Sequence, residues 1–144
     1  MHISFAVFAD AANLSQEGKL NILGVFDAVQ VAGLPTIHPR THFVVRLKAD
    51  GDDVGAHKLS FRWLSPFDEE LWSSSGEMSV ANPPNPVFEL DLPIIAVVDL
   101  PLNVVGQYTM QVTLDGNPTA SARLFVSGPT QQSMVTGTTN SMVS

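Results

Sequence analysis

The first candidates for chemistry are His38 and His42, the only closely spaced histidine pair in the sequence. Imidazole nitrogens bind transition metals and act as general bases. The segment contains Pro39 and is expected to be extended, so at ~3.3 Å per residue the two rings would point the same way about 13 Å apart. They would share a metal ion only if the chain bends at Pro39. We therefore interpret both histidines as surface residues.

Three carboxylates, Asp50, Asp52 and Asp53, cluster around Gly51. Carboxylate oxygens are the ligands that Ca²⁺ prefers, and some β-sandwich loops hold calcium in this way. The spacing is not that of an EF-hand, and no bidentate glutamate follows at the required distance. An exposed hairpin tip explains the same residues. The sequence favours a solvated turn here, with calcium binding as the alternative.

Nothing in the sequence has the pattern of a hydrolase. The serines of Ser73–Gly76 lack a surrounding G-x-S-x-G elbow. The carboxylates of Asp68–Glu70 lie on a predicted exposed turn, whereas general acid–base catalysis needs at least one desolvated group. A hydrolase would require His38 or His57 beside a buried serine. We predict that the protein is not an enzyme and has no cofactor.

A polar string separates the first two apolar segments, and its candidate interaction residues are Asp10, Asn13, Ser15 and Glu17. Such side chains often satisfy backbone groups in turns and caps, and Asp10 could cap a single helical turn over 10–15. The alternative is a loop at one end of the fold that carries a binding surface. The sequence leaves both interpretations open.

Alternation of apolar and polar residues dominates the rest of the chain. In 107–114, for example, Tyr108 and Met110 alternate with glutamine and threonine. This period places apolar side chains on one face of a strand and is typical of antiparallel sheets. Asp115-Gly116 predicts a tight hairpin, and Asn82–Pro86 predicts a loop. About eight strands are expected, over 2–9, 19–27, 40–49, 57–65, 70–80, 87–98, 105–114 and 118–126.

Two aromatic residues refine this all-β prediction to an immunoglobulin-like sandwich. The segment 100–108 matches a tyrosine corner, in which a tyrosine early in a late strand hydrogen-bonds to backbone a few residues upstream. Tyr108 is the only tyrosine in the chain and has that position. Trp63, on the inner side of a middle strand, is a candidate core tryptophan. Plain core packing of Tyr108 is the alternative.

The opening segment 5–27 resembles a family of short bacterial proteins of unknown function. It contains the phrase A-D-A-A-N…G-K-L-N-I-x-G-x-F-D, and a later G-x-Y strand and a D-G hairpin match as well. The likeness covers most of residues 3–126. It implies a β-sandwich without an established activity, and it supplies no catalytic residues.

Composition limits the partners. The net charge is −7, so the chain lacks the basic surface that nucleic acid requires and would be repelled by an anionic membrane. It contains no cysteine, which excludes disulfides and thiolate metal sites. Charged residues make up 15% of the chain, against a usual level of about 25%, which hints at surface covered by another subunit.

These observations predict one soluble domain over 1–127 followed by a polar tail over 128–144. We expect a non-enzymatic protein-interaction or structural module that belongs to a homo-oligomer or a larger assembly. A phage-particle component is one version of this hypothesis. The alternative is a β-sandwich that binds calcium or a small ligand. The absence of a signal peptide predicts a cytoplasmic location, with the virion as the alternative.

Overall fold

The computed structural model describes residues 1–82 and 89–129, most of which lie in β-strands. The strands are β1 (His2–Leu14), β2 (Leu20–Phe26), β3 (Ala28–Gln30), β4 (Thr36–Ala49), β5 (Gly55–Leu64), β6 (Glu70–Val80), β7 (Leu90–Leu102), β8 (Gly106–Leu114) and β9 (Asn117–Ser127). A 3₁₀ turn over Gly51–Asp53 joins β4 to β5. No helix in this part of the chain is long and apolar enough to cross a bilayer.

The strands form two sheets that do not close into a barrel. One sheet has four strands in the order β2-β1-β4-β7, and the other has five in the order β3-β9-β8-β5-β6. The all-β prediction is confirmed, but the described residues form nine strands instead of about eight. The additional strand, β3, pairs with β9 in parallel, so the second sheet is not wholly antiparallel. Three residues are too few to show an alternating pattern.

The helical turn predicted over 10–15 is wrong. Strand β1 continues through this segment, where Ala11 and Ala12 pair with Leu23 and Ile22 of β2. The hydrogen bonds of a neighbouring strand outweigh the weak local preference of these residues. The chain reverses direction after the end of β1, where the Gly18 amide donates to the Ser15 carbonyl at 2.9 Å.

Aromatic side chains join the two sheets. Phe8 of β1 meets Trp63 of β5 edge-on, with ring centroids 5.8 Å apart. Phe43 of β4 meets Phe61 of β5 in the same way at 5.2 Å. These contacts show that the two sheets face each other across a shared core. They also define which side of each strand is the inner side.

The predicted tyrosine corner is present. The Tyr108 hydroxyl accepts hydrogen bonds from the backbone amides of Asn103 at 2.8 Å and Val104 at 2.9 Å. Its own proton faces the Val104 carbonyl at 2.7 Å. Trp63 is fully buried, stacks on Tyr108 at 5.3 Å, and donates from Nε1 to the Pro101 carbonyl of the opposite sheet at 2.9 Å.

Two expectations fall on residues that are not described. The predicted tail over 128–144 lies outside the described residues from 130 onward, and the predicted loop Asn82–Pro86 does so from Pro83. The division of the chain at residue 127 therefore stays a prediction.

Replacing Tyr108 by phenylalanine should lower the free energy of unfolding by about 1–3 kcal/mol, because the partly buried amides of Asn103 and Val104 lose their shared acceptor. The aromatic packing on Trp63 is preserved. Chemical denaturation followed by tryptophan fluorescence measures the effect. An unchanged denaturation midpoint would show that the hydrogen bonds of the hydroxyl do not contribute to stability.

Candidate functional site

A β-bulge interrupts β4 where it pairs with β7. The register shifts between His38 and Thr41, which places Pro39 and Arg40 opposite a single residue, Asp99. Arg40 has a φ of 50°, a conformation that costs a non-glycine residue about 1–3 kcal/mol. Its amide donates to the Asp99 carboxylate at 2.9 Å. Bulges of this kind re-aim side chains, often beside functional sites.

The bulge turns the two histidines to opposite faces of the sheet. His38 faces inward, with its ring centroid 5.5 Å from that of Phe26. His42 precedes the inward-facing Phe43 and therefore faces outward. Both are half-buried. The expectation that the two rings point the same way is wrong, because the bulge reverses the face between them. The described residues contain no group of three or more side chains able to hold a metal ion.

His38 lies beside a hydroxyl group, but one that is buried. Its Nδ1 is 2.8 Å from Oγ1 of Thr41, and Thr41 is only 1% exposed. A substrate cannot reach this hydroxyl without movement of the bulge. The contact therefore holds the bulge in place, and it does not make Thr41 a nucleophile.

Asp10 sits above a glycine on the neighbouring strand. A Cβ atom on Gly24 would lie 2.4 Å from Oδ2 of Asp10, so only glycine leaves room for the carboxylate. Gly24 also has a φ of 70°, which glycine adopts without strain. Two clefts, of about 370 and 280 Å³, share Asp10 and His38 in their walls. Arg40 and His42 also line the larger cleft.

The other predicted interaction residues lie on the β1–β2 hairpin and support its structure. Oδ1 of Asn13 accepts from Nδ2 of Asn21 at 3.0 Å across the strands. Oγ of Ser15 accepts from the Lys19 amide at 3.1 Å in the turn. Glu17 lies 3.8 Å from the Lys19 ammonium group, with both side chains exposed. Asp10 therefore lies apart from Asn13, Ser15 and Glu17, the other residues predicted to form an interaction surface.

Replacing Gly24 by alanine should destabilise the protein by about 1–3 kcal/mol, because the new Cβ strains the backbone and displaces Asp10. Gly76 is a matched control, since it lies on β6 with ordinary φ and open space around its Cα. Gly76→Ala should be neutral or slightly stabilising. Thermal melting compares the two variants, and adding Asp10→Ala to Gly24→Ala should recover part of the loss. Equal effects at both glycines would contradict this explanation.

The Asp50–Asp53 cluster uses its carboxylates within the loop. Oδ1 of Asp50 accepts from the Asp52 amide at 2.9 Å. Oδ2 of Asp53 accepts from the Asp50 amide at 3.0 Å and from the amino group of Met1 at 2.8 Å. The Met1 amino group, followed by the Asp50 amide, lowers the pKa of Asp53. A calcium ion would have to replace these contacts.

The same end of the molecule contains His57, which the sequence suggested only as a possible base of a hydrolase. Nδ1 of His57 lies 2.6 Å from Oδ2 of Asp115, and Nε2 lies 2.6 Å from the Asp53 carbonyl. Both ring nitrogens thus face acceptors, which suits the doubly protonated ring. The Asp115 carboxylate and then the Asp53 carbonyl raise the pKa of His57, and His57 lowers the pKa of Asp115. His57 ties the β4–β5 loop to the β8–β9 hairpin.

This contact predicts a pH dependence. Because the folded-state pKa of His57 lies above its ordinary 6.5, its stabilisation is complete below 6.5 and is lost as pH rises through the raised value. Urea unfolding of the wild type and of His57→Gln should therefore give a stability difference that shrinks from pH 6 to pH 9. A difference that stays constant or grows with pH would contradict the assignment.

The serine run and the acidic turn lie on the β5–β6 hairpin. Ser73 and its two following serines are exposed along β6, where they pair with β5. The Glu70 carboxylate accepts from Nε of Arg62 at 2.7 Å. Among the described residues, no hydrogen bond joins these serines to a histidine. They form no catalytic arrangement there.

The four-stranded sheet is apolar on both faces. Phe8 and Phe43 point into the core, so their neighbours Ala9 and Val44 point outward. We call the following residues the apolar outer face: Phe5, Val7, Ala9, Ala11, Leu23, Val25, His42, Val44, Pro93, Ile95 and Val97. One row of paired residues crosses all four strands in the order Val25, Ala9, His42 and Val97.

The rim of this face is open to solvent, whereas its centre is not. Leu23, Val25 and Val97 are 72%, 59% and 58% exposed, while Ala9 and Val44 are fully buried. The opposite sheet presents glutamine, threonine, lysine, serine and arginine on the outer sides of β5 and β8. Sequence reasoning missed the apolar outer face. The available signal was the run Phe43-Val44-Val45, which breaks the period of two.

These features define the class of protein: an all-β chain of two facing sheets, with a tyrosine corner and one sheet that is apolar on both sides. A sequence profile of the family of unknown function DUF6941 matches residues 4–127, and the chain belongs to that family. This agrees with the expected membership of a family without an established activity. No curated protein matches the chain.

Proposed function

We propose that this protein is a non-enzymatic interaction module that binds another polypeptide through the apolar outer face. One observation carries the proposal: β1, β4 and β7 present apolar residues to both sides of the four-stranded sheet. Antiparallel sheets with a wet side normally alternate apolar and polar residues, and sheets apolar on both sides are covered on both sides. The five-stranded sheet has the usual polar outer side.

The hydrophobic effect supports this use of the surface. Apolar area removed from water stabilises a complex by roughly 25 cal/mol per Å², before the costs of association are subtracted. Leu23, Val25 and Val97 provide such area on the two edges of one sheet. Isolated exposed apolar residues are ordinary, but several on one face of a sheet are typical of an interaction site.

For the architecture we propose an immunoglobulin-like sandwich. Three features support it: the tyrosine corner at Tyr108, the buried Trp63 on a middle strand, and two facing sheets with β7 next to β4 in one and β8 next to β5 in the other. Such sandwiches commonly act through their surfaces.

For the biological setting we propose a homo-oligomer or a larger assembly, in the cytoplasm or in a phage particle. The low content of charged residues and the net charge of −7 favour a polypeptide partner over nucleic acid or an anionic membrane.

The proposal predicts that Val97→Asp abolishes binding of partner proteins, since a carboxylate would be desolvated in the contact. Phe125→Asp is a matched control, because Phe125 is 55% exposed on the outer side of β9 in the other sheet. Affinity capture from an extract of the source cells, with quantitative mass spectrometry, compares both variants with the wild type. Melting temperatures verify that both remain folded. Proteins captured equally by wild type and Val97→Asp would contradict the proposal.

A second candidate function is binding of a small polar ligand beside the bulge. The observation that favours it is the cleft of about 370 Å³, whose walls include Asp10, Arg40 and His42. Ligand sites of small molecules begin at about 300 Å³. The calcium version at Asp50–Asp53 has less support, because two of its three carboxylates already accept hydrogen bonds within the loop.

A further inference from the structure

We infer that the partner of the apolar outer face is a second copy of this chain, packed face to face about a two-fold axis that runs along the strands. The inference rests on the proposed function, because it names the occupant of the same surface. Two sheets packed in this way lie about 10 Å apart. The contact is isologous, so each residue meets the same partner in both directions.

The face is complementary to itself under this symmetry. A two-fold axis along the strands exchanges β2 with β7 and β1 with β4, while each row of residues stays level with itself. In the row that crosses all four strands, Val25 of one copy then meets Val97 of the other, and Ala9 meets His42. Each exposed rim lies against the other rim, and the centre, where Ala9 is already buried within one copy, adds no contact of its own.

The next two rows are also compatible. Val7 lies opposite the buried Val44, and the half-buried Phe5 meets Arg46. The Arg46 guanidinium is already held by the Asp91 carboxylate at 2.8 and 2.9 Å, so its stem is free to cover an aromatic ring.

Charge favours a second copy at this face over any other part of the surface. Two copies with a net charge of −7 repel each other where their carboxylates approach. The residues named in the apolar outer face include no Asp or Glu, and His42 is their only ionisable member. Two carboxylates, Asp91 and Asp99, lie on the same side of β7 at the ends of the face, where Asp91 is paired with Arg46 and Asp99 accepts from the Arg40 amide. Under this axis β7 lies opposite β2 of the other copy, so these carboxylates do not oppose each other.

Area indicates how strong the contact is. A face four strands wide at ~4.8 Å per strand and about 20 Å long covers roughly 400 Å² in projection, or about 800 Å² for two copies. Stable interfaces bury about 1,200–2,000 Å², and weak transient ones lie below that range. The dimer is therefore reversible and depends on protein concentration.

Sedimentation velocity from micromolar to near-millimolar protein tests the inference. The wild type and Phe125→Asp should shift from monomer to dimer as concentration rises, whereas Val97→Asp should raise the dissociation constant by about tenfold or more. Circular dichroism confirms that the variants are folded. A wild type that is monomeric throughout, or a dimer equally weakened by Phe125→Asp, would overturn the inference.

Disulfide trapping tests the geometry, because the natural chain has no cysteine. A mixture of Val25→Cys and Val97→Cys proteins should form the mixed disulfide in preference to either symmetric one. Preference for the symmetric products would overturn the proposed axis. If the wild type is monomeric but still captures partners through Val97, the second copy is excluded and the proposed function stands.

Discussion

The structure depends on one constraint: the strands of the four-stranded sheet have apolar side chains on both faces. Their inner residues pack against the five-stranded sheet, as Phe8 does on Trp63 and Phe43 on Phe61. Their outer residues are left on a surface that the other sheet cannot reach. The same strands thus build the core and present a second apolar surface, so stability and interaction share one element of the fold.

Polar contacts hold these two sheets in place. The tyrosine corner at Tyr108 fixes the crossover between β7 and β8, and the bulge at Arg40 reverses which residues of β4 face inward. Without the bulge, His38 and His42 would share a face, and the register of the apolar residues on one side of it would be inverted. Local strain at Arg40 is thus offset by correct burial along the whole strand.

Much of this fold is predictable from the sequence, because period two is a direct consequence of strand geometry. Eight strands, the Asp115-Gly116 hairpin and the role of Tyr108 follow from residue types and spacing. Strand β3 does not, since three residues pair with a distant strand and leave no pattern. The extension of β1 through Ala11 was missed for a related reason: its partner strand, and not local propensity, determines its conformation.

The candidate surface is harder to predict from the sequence than the fold is. A face exposed to solvent is expected to carry polar residues, so Val44 and Val97 do not fit the alternating pattern. The sequence favoured polar residues as interaction candidates instead, yet Asn13 and Ser15 form hydrogen bonds within their own hairpin. Pairing registers were needed to show that residues from four strands form one row.

Association through the apolar outer face is tested most directly by a series of ¹H–¹⁵N NMR spectra recorded at increasing protein concentration. If two copies meet through this face, the shifts should be confined to the outer residues of β1, β2, β4 and β7 and centred on the row from Val25 to Val97. Shifts centred on the outer side of the five-stranded sheet, or spectra that do not change with concentration, would contradict it.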